Sequence, residues 1–191
     1  MTDEQDSRLR RLGLFTLAEA ETIGVSQQWV SVFLKRKYFK RIARGIYFHH
    51  DAELGPHLGF QIARKKFGPD SVIGGLSALE AYHLLDHVPG QMWVLVPPQI
   101  RTREPGYRLL RTLTHPLIEV EGSRQFKIVT LERALLEGLK YMNKMGTRNI
   151  LNALHRALKT KQTTAQDLKK AAKKLDLENL LDRHLENVIF S

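Results

Sequence analysis

Between Thr16 and Lys37 the apolar positions fall at the spacing of two short helices. Leu17, Ala20 and Ile23 recur behind Thr16-Leu17-Ala18-Glu19, a capping box in which the Thr hydroxyl accepts from a free backbone N–H and the Glu reaches back. Gly24 follows where a helix can end on a left-handed residue, which Gly adopts without steric cost. Ser26 suits the N-cap of a second helix, running to about Lys37. Two β-prone runs, 39–42 and 46–48, are then separated by Ala43-Arg44-Gly45 and read as a hairpin. Helix, Gly turn, helix, hairpin is the order of a helix-turn-helix with a wing.

Further along, 56–67 reads as a helix, with Pro56 at its first position and Gly68-Pro69 at its stop. A second capping box, Ser77-Ala78-Leu79-Glu80, opens a helix to about His87, and 92–96 is a short apolar run read as a buried strand. Residues 107–110, 117–120 and 126–129 are β-prone, and the pattern turns helical over 131–142, 147–158, 164–175 and 177–188. The expected class is α+β: an N-terminal winged helix-turn-helix, then a mixed α/β domain with a small, mostly antiparallel sheet and a helical C-terminus. The polar stretch 49–56 places the boundary, giving domains 1–50 and 56–191.

Charge sharpens this picture. The 191 residues carry 30 Lys plus Arg against 20 Asp plus Glu, a net charge of +10, which favours an anionic partner. Residues 35–44 hold six cations and no carboxylate, and Tyr38, Phe39 and Ile42 interrupt the run as anchors would. On the second helix Val30 and Phe33 fall on the packing side, while Gln27, Gln28, Ser31 and Lys35 fall opposite, where hydrogen-bonding side chains can read base edges in a major groove. Ser26 stands at its start. Lys35, Arg36 and Lys37 from the helix end and Lys40, Arg41 and Arg44 from the wing are expected to make one phosphate-facing surface.

The stretch from about Leu12 to Phe48 resembles the N-terminal winged helix of AbiEi-type antitoxins of type IV toxin–antitoxin systems. The matching pieces are Phe15-Thr16-Leu17-Ala18-Glu19, Gly24-Val25-Ser26, Leu34-Lys35-Arg36-Lys37 and, most specific, Arg41-Ile42-Ala43-Arg44-Gly45-Ile46-Tyr47. Members commonly have Gly shortly before that hairpin; here Lys37-Tyr38 stands there. More loosely, Ser77-Ala78-Leu79, Leu84-Leu85, Val94-Leu95-Val96-Pro97 and the stretch from Ile128 to Leu136 are similar to the family's second domain, with Thr130-Leu131 in place of a Pro and Glu137 in place of an Asp. The resemblance implies a cytoplasmic autorepressor that binds double-stranded DNA at its own operator. It also implies neutralisation of a nucleotidyltransferase-like toxin that need not proceed through a stable complex. No enzymatic activity, cofactor, metal or membrane partner is expected.

Other chemistry has weaker footing. Cys is absent, which removes thiolate zinc sites and a Cys nucleophile, and no apolar run reaches membrane-spanning length. The N-terminus is acidic and polar, unlike a secretory signal. His83 and His87 stand one helical turn apart, a spacing that can clamp a metal, though no third ligand is indicated. Glu119 and Glu121, on one side of a strand before Gln125 and Lys127, imitate a metal-dependent nuclease; alternation in a half-buried antiparallel strand is the better account of them. Gly74-Gly75 could bind an anion or simply turn. Lys169, Lys170, Lys173, Lys174, Arg156, Lys159 and Lys161 form stripes on late helices, solvated or touching DNA or an acidic partner. A nucleic-acid-processing enzyme and a winged-helix protein-interaction module are the two alternative functions.

Overall fold

A computed structural model of the chain describes residues 1–55, 57–111, 118–123 and 125–189. The chain is α+β and divides into two compact units, Met1–Pro69 and Asp70–Ser191.

The first unit begins with α1 (Asp3–Leu12), β1 (Leu14–Thr16), α2 (Leu17–Thr22) and α3 (Gln27–Lys35). It continues with β2 (Phe39–Ala43), β3 (Ile46–His49) and α4 (Leu58–Phe67). The capping box at Thr16 forms as expected, with the Thr16 hydroxyl accepting from Glu19 N–H and Glu19 reaching back to Thr16 N–H. Gly24 is left-handed at φ 85°, and Ser26 caps α3. The three strands form an antiparallel sheet in the order β1-β3-β2. Leu9, Phe15, Ala20, Val25, Val30, Phe39 and Tyr47 make one core under it. The Phe15 and Phe39 rings meet edge-on there, at 5.1 Å between centroids.

Three features depart from the sequence reading. Thr2 and Gln5 form a further capping box that opens α1, whose Asp6 accepts from the Tyr38 hydroxyl at 2.7 Å. The helix expected to reach Lys37 ends at Lys35, because Lys37 is left-handed at φ 60° and turns the chain into β2. The third concerns 56–67, assigned to the second domain. Its helix, α4, packs on β1 and β3, and Lys65 pairs with Glu19 of α2, so the first unit runs through Pro69 rather than stopping at 50. Burial raises the Glu19 carboxyl, but hydrogen bonds from Lys65 and Thr16 outweigh it and hold the group below its ordinary range.

The second unit runs β4 (Val72–Ile73), α5 (Gly75–Ala81), β5 (Met92–Val96), β6 (Tyr107–Arg111), β7 (Val120–Gly122) and β8 (Lys127–Val129). Helices α6 (Leu131–Lys140), α7 (Met142–Met145), α8 (Thr147–Lys159), α9 (Ala165–Leu175) and α10 (Glu178–Ile189) follow, the helical C-terminus that the periodicity predicts. Its sheet, in the order β6-β5-β4-β8-β7, is mixed rather than mostly antiparallel: β4 runs parallel to β8 and β5 to β6. The two-residue β4, too short for any pattern to announce, sits centrally and supplies one of the two parallel pairings. Leu117, placed in a β-prone run, lies outside the described residues.

Helix α6 is the hub of this unit, packed by α5, α8, α9 and α10 and buried from Arg133 through Leu139. Arg133 is 0% exposed; its Nε donates to Glu137 at 2.9 Å, and a guanidinium N–H donates to the Ile118 carbonyl. Burial pushes the Glu137 carboxyl up, against the pull of Arg133. The second expected capping box is absent: α5 already starts at Gly75, and the buried Ser77 hydroxyl accepts from Trp93 N–H at 2.9 Å, stitching α5 to β5.

Candidate nucleic-acid interface

The interface is built from α3 and the hairpin that follows it. With about 100° per residue, the inward direction of α3 is set by buried Val30 and by the half-buried Phe33 and Leu34. Gln28, Val32 and Lys35 then lie at the centre of the outward face, with Ser31 and Gln27 on one side and Trp29 on the other. Ser26, Gln27, Gln28, Ser31 and Lys35 are all exposed. Two hydroxyls are partly committed. Ser26 accepts from Trp29 N–H at 3.5 Å as the cap, and Ser31 donates to the Gln27 carbonyl at 3.0 Å, leaving its lone pairs to face outward. Gln28 and Lys35 carry no such commitment among the described contacts.

Two outward residues escaped the sequence reading. Val32 is 36% exposed and Trp29 49%. The spacing 28, 32, 35 would have found Val32, since positions three and four apart share a helix face. Trp29 stacks on Phe33 at 5.6 Å between centroids, and Phe33 continues to Tyr38 and Phe39.

The β2–β3 hairpin, expected to be a wing, positions its cations differently from a flat patch. Lys40 pairs in register with Phe48, and Arg41 with Tyr47. Cross-strand partners share a face and successive residues alternate. Lys40 and Arg41 therefore project from opposite faces of the ribbon. Lys40 lies 5.9 Å over the Phe48 ring, whereas Arg41 curls along its own strand to donate from Nε to the Ala43 carbonyl at 3.3 Å. A β-bulge between Arg41 and Ala43 bends the ribbon just before the Arg44-Gly45 tip. The expected single phosphate-facing surface is thus two-sided in the wing, with both arginines toward the tip. Lys35, Arg36, Lys37, Lys40, Arg41 and Arg44 are all exposed, and among the described residues no carboxylate pairs with any of them.

Behind the wing a buried polar cluster fixes its root. His49, at the end of β3, is fully buried. Its Nδ1 accepts from Asp51 N–H at 3.1 Å, so the ring proton sits on Nε2 and is donated to Asp6, also at 3.1 Å. The Tyr38 hydroxyl donates to the same Asp6 oxygen, and that hydrogen bond pushes the phenol up to about 12. His49, His50 and Asp51 also bring potential metal-ligating atoms within 4.8 Å, but both His49 nitrogens already serve hydrogen bonds.

The alternative sites come apart. His83 follows α5 with φ 58°, so it and His87 do not share a helix. Glu119 is left-handed at φ 50° in the turn before β7 and pairs with Lys174, whereas Glu121 lies in β7 and accepts from the Tyr82 hydroxyl. The two carboxylates diverge instead of sharing a strand face. Gly74 N–H is taken by the Trp93 carbonyl at 3.1 Å and is not offered to an anion. The late lysines are exposed on α9, where Lys170 pairs with Asp167 and Lys174 with Glu119 along an open groove of about 250 Å³.

Among the described residues, no helix is long and apolar enough to cross a membrane. No family model and no curated protein matches the chain. Among solved structures it is similar to the RV2827C protein from Mycobacterium tuberculosis, with a TM-score of 0.56 at 14% identity, covering 95% of this chain and 76% of that one. At that identity the likeness speaks for the fold alone.

Proposed function

We propose that the chain is a sequence-specific DNA-binding antitoxin and autorepressor of a type IV toxin–antitoxin operon, without enzymatic activity, acting against a nucleotidyltransferase-like toxin with no stable complex required. The observation that carries the DNA-binding reading is the set of six exposed cations within residues 35–44, none paired with a carboxylate among the described residues, beside an outward polar helix face. Cations left without a carboxylate partner keep their net charge available to phosphate, and releasing counterions from a duplex drives binding without regard to sequence. In this reading α3 lies in the major groove, where Gln28 can bond an adenine edge through both amide atoms and Lys35 a guanine edge. The wing, carrying cations on both faces and at its tip, suits a groove walled by phosphates on two sides better than a single row of them. The antitoxin half of the reading rests on the sequence resemblance.

An electrophoretic mobility shift across a salt series tests the first half. With about six phosphate contacts, the log–log salt slope is expected near −5, and the triple charge reversal Lys40→Glu, Arg41→Glu, Arg44→Glu reduces it to about −3 or shallower. A shift that survives the triple reversal unchanged would overturn the wing assignment. Co-expression with the nucleotidyltransferase-like toxin, scored for growth, tests the second half.

A further inference from the structure

The outward centre of α3 holds an apolar side chain where a purely polar reading surface would have none. Val32 stands between Gln28 one turn before it and Lys35 one turn after, on the side of α3 opposite buried Val30. It is 36% exposed and belongs to neither the core cluster nor the residues packed against it. An aliphatic side chain held in water gains free energy only when something apolar covers it. The cations around it call for an anionic occupant, and an unmodified duplex offers one apolar group on its major-groove edge, the 5-methyl of thymine.

We infer that Val32 is a specificity-determining residue that reads a thymine 5-methyl, so the preferred duplex carries a thymine beside the base read by Gln28. The inference rests on the DNA-binding reading above and adds the base class. One helical turn advances about 5.4 Å, against about 3.4 Å per base step, so Gln28 and Val32 address neighbouring base pairs rather than one. Gln28 favours adenine through its N6 and N7. The expected core of the site is therefore an A·T-containing step, with Lys35 extending the contact toward guanine or phosphate. Trp29 stacks on Phe33 and flanks this face.

The experiment uses the full chain and duplexes enriched from a random-sequence library on the wild-type protein. Each enriched duplex is made in two forms, with thymidine or with deoxyuridine, which lacks the methyl. Wild type is expected to bind the thymidine form about fourfold more tightly for each contacted methyl, in line with one buried carbon group. It is expected to bind unselected duplex equally in both forms. Val32→Ala should bind both forms of the enriched duplex alike, near the wild-type affinity for the deoxyuridine form. Val32→Thr, of the same shape, should retain part of the discrimination.

Equal wild-type binding to both forms, with enriched duplex still retained, overturns the methyl contact and leaves the DNA-binding reading standing. Discrimination that persists in Val32→Ala also overturns it, because another residue would then be reading the methyl. Failure to retain any duplex at low salt overturns the DNA-binding reading itself. Sedimentation of both proteins without DNA closes the remaining route: equal masses support the inference, and a Val32→Ala protein of half the wild-type mass assigns the face to a second copy of the chain and overturns it.

Discussion

Residues 35–44 and helix α9 are two strongly cationic stretches of the molecule, and the fold treats them differently. In the first unit the six cations are exposed and lack carboxylate partners among the described residues. In the second, Lys170 and Lys174 are tied to Asp167 and Glu119, Arg156 to Asp86, and Arg133 is sunk entirely against Glu137. The first arrangement keeps charge available to an outside anion. The second commits part of it to pairs within a helix, Lys170 with Asp167 and Arg133 with Glu137, and from a helix to a turn, Lys174 with Glu119 and Arg156 with Asp86. Net charge alone cannot distinguish the two, and only the partners of each cation do.

The comparison can be broken most severely at Arg133. Arg133→Met leaves Glu137 buried without its counter-charge and is expected to cost about 3–5 kcal/mol of stability in denaturant unfolding, whereas the double variant Arg133→Met with Glu137→Leu should recover most of it. Next in size is the wing. The triple reversal at Lys40, Arg41 and Arg44 should weaken duplex binding on the order of 10²–10³-fold near 0.1 M salt, while Lys170→Gln with Lys174→Gln on α9, the two lysines paired with carboxylates, should change it by less than about threefold. Equal losses from the two sets would erase the distinction drawn here.

A smaller effect separates the root of the wing from its surface. Tyr38 is held protonated to about 12 by its hydrogen bond to Asp6. An unfolded tyrosine titrates near 10. The folded form keeps a proton that the unfolded form has lost, so stability is fully present below about pH 10 and declines as pH rises toward 12. Tyr38→Phe should flatten that alkaline slope and cost about 1 kcal/mol at neutral pH, read by thermal unfolding. Smallest is Lys37→Gly. Removing a side chain from a left-handed residue (φ 60°) should raise stability by about 0.5–1 kcal/mol, even after the entropy cost of Gly. The same change should make the salt slope shallower by about 0.9.

Much of the first unit was legible because its signals are local. Thr16 with Glu19, the Gly24 turn, the Ser26 cap and the Arg44-Gly45 tip each depend on residues a few positions apart, and each is found where the pattern puts it. What the pattern could not deliver is relational. Helix α4 looks like the start of a new domain until its packing on β1 and β3 is seen. Alternation along β2 contradicted a one-sided wing, yet the bulge that turns Arg41 toward the tip has no sequence signature of its own. Helix α1 was within reach, since Thr2-Asp3-Glu4-Gln5 spells a capping box. In the second unit Glu119 and Glu121 share a strand face only if the strand begins at 119; the left-handed Glu119 delays it by one residue and sends the carboxylates to different partners. One parallel pairing, β4 with β8, turns on a two-residue strand that carries no periodicity to detect, and the other, β5 with β6, depends on a strand direction that alternation does not encode.

The junction of α5 with β5 has a consequence for how freely this chain can vary. A Cβ on Gly74 would sit 1.9 Å from Leu95 Cδ1, and one on Gly75, left-handed at φ 53°, would sit 2.9 Å from the Trp93 ring. Alanine at either site forces a buried side chain, Leu95 or Trp93, to shift, and at 75 it adds the strain of a left-handed backbone. In a saturation survey scored only for folded yield, 74 and 75 should rank among the least permissive positions of the second unit, while the exposed cations of the β2–β3 hairpin should accept most replacements.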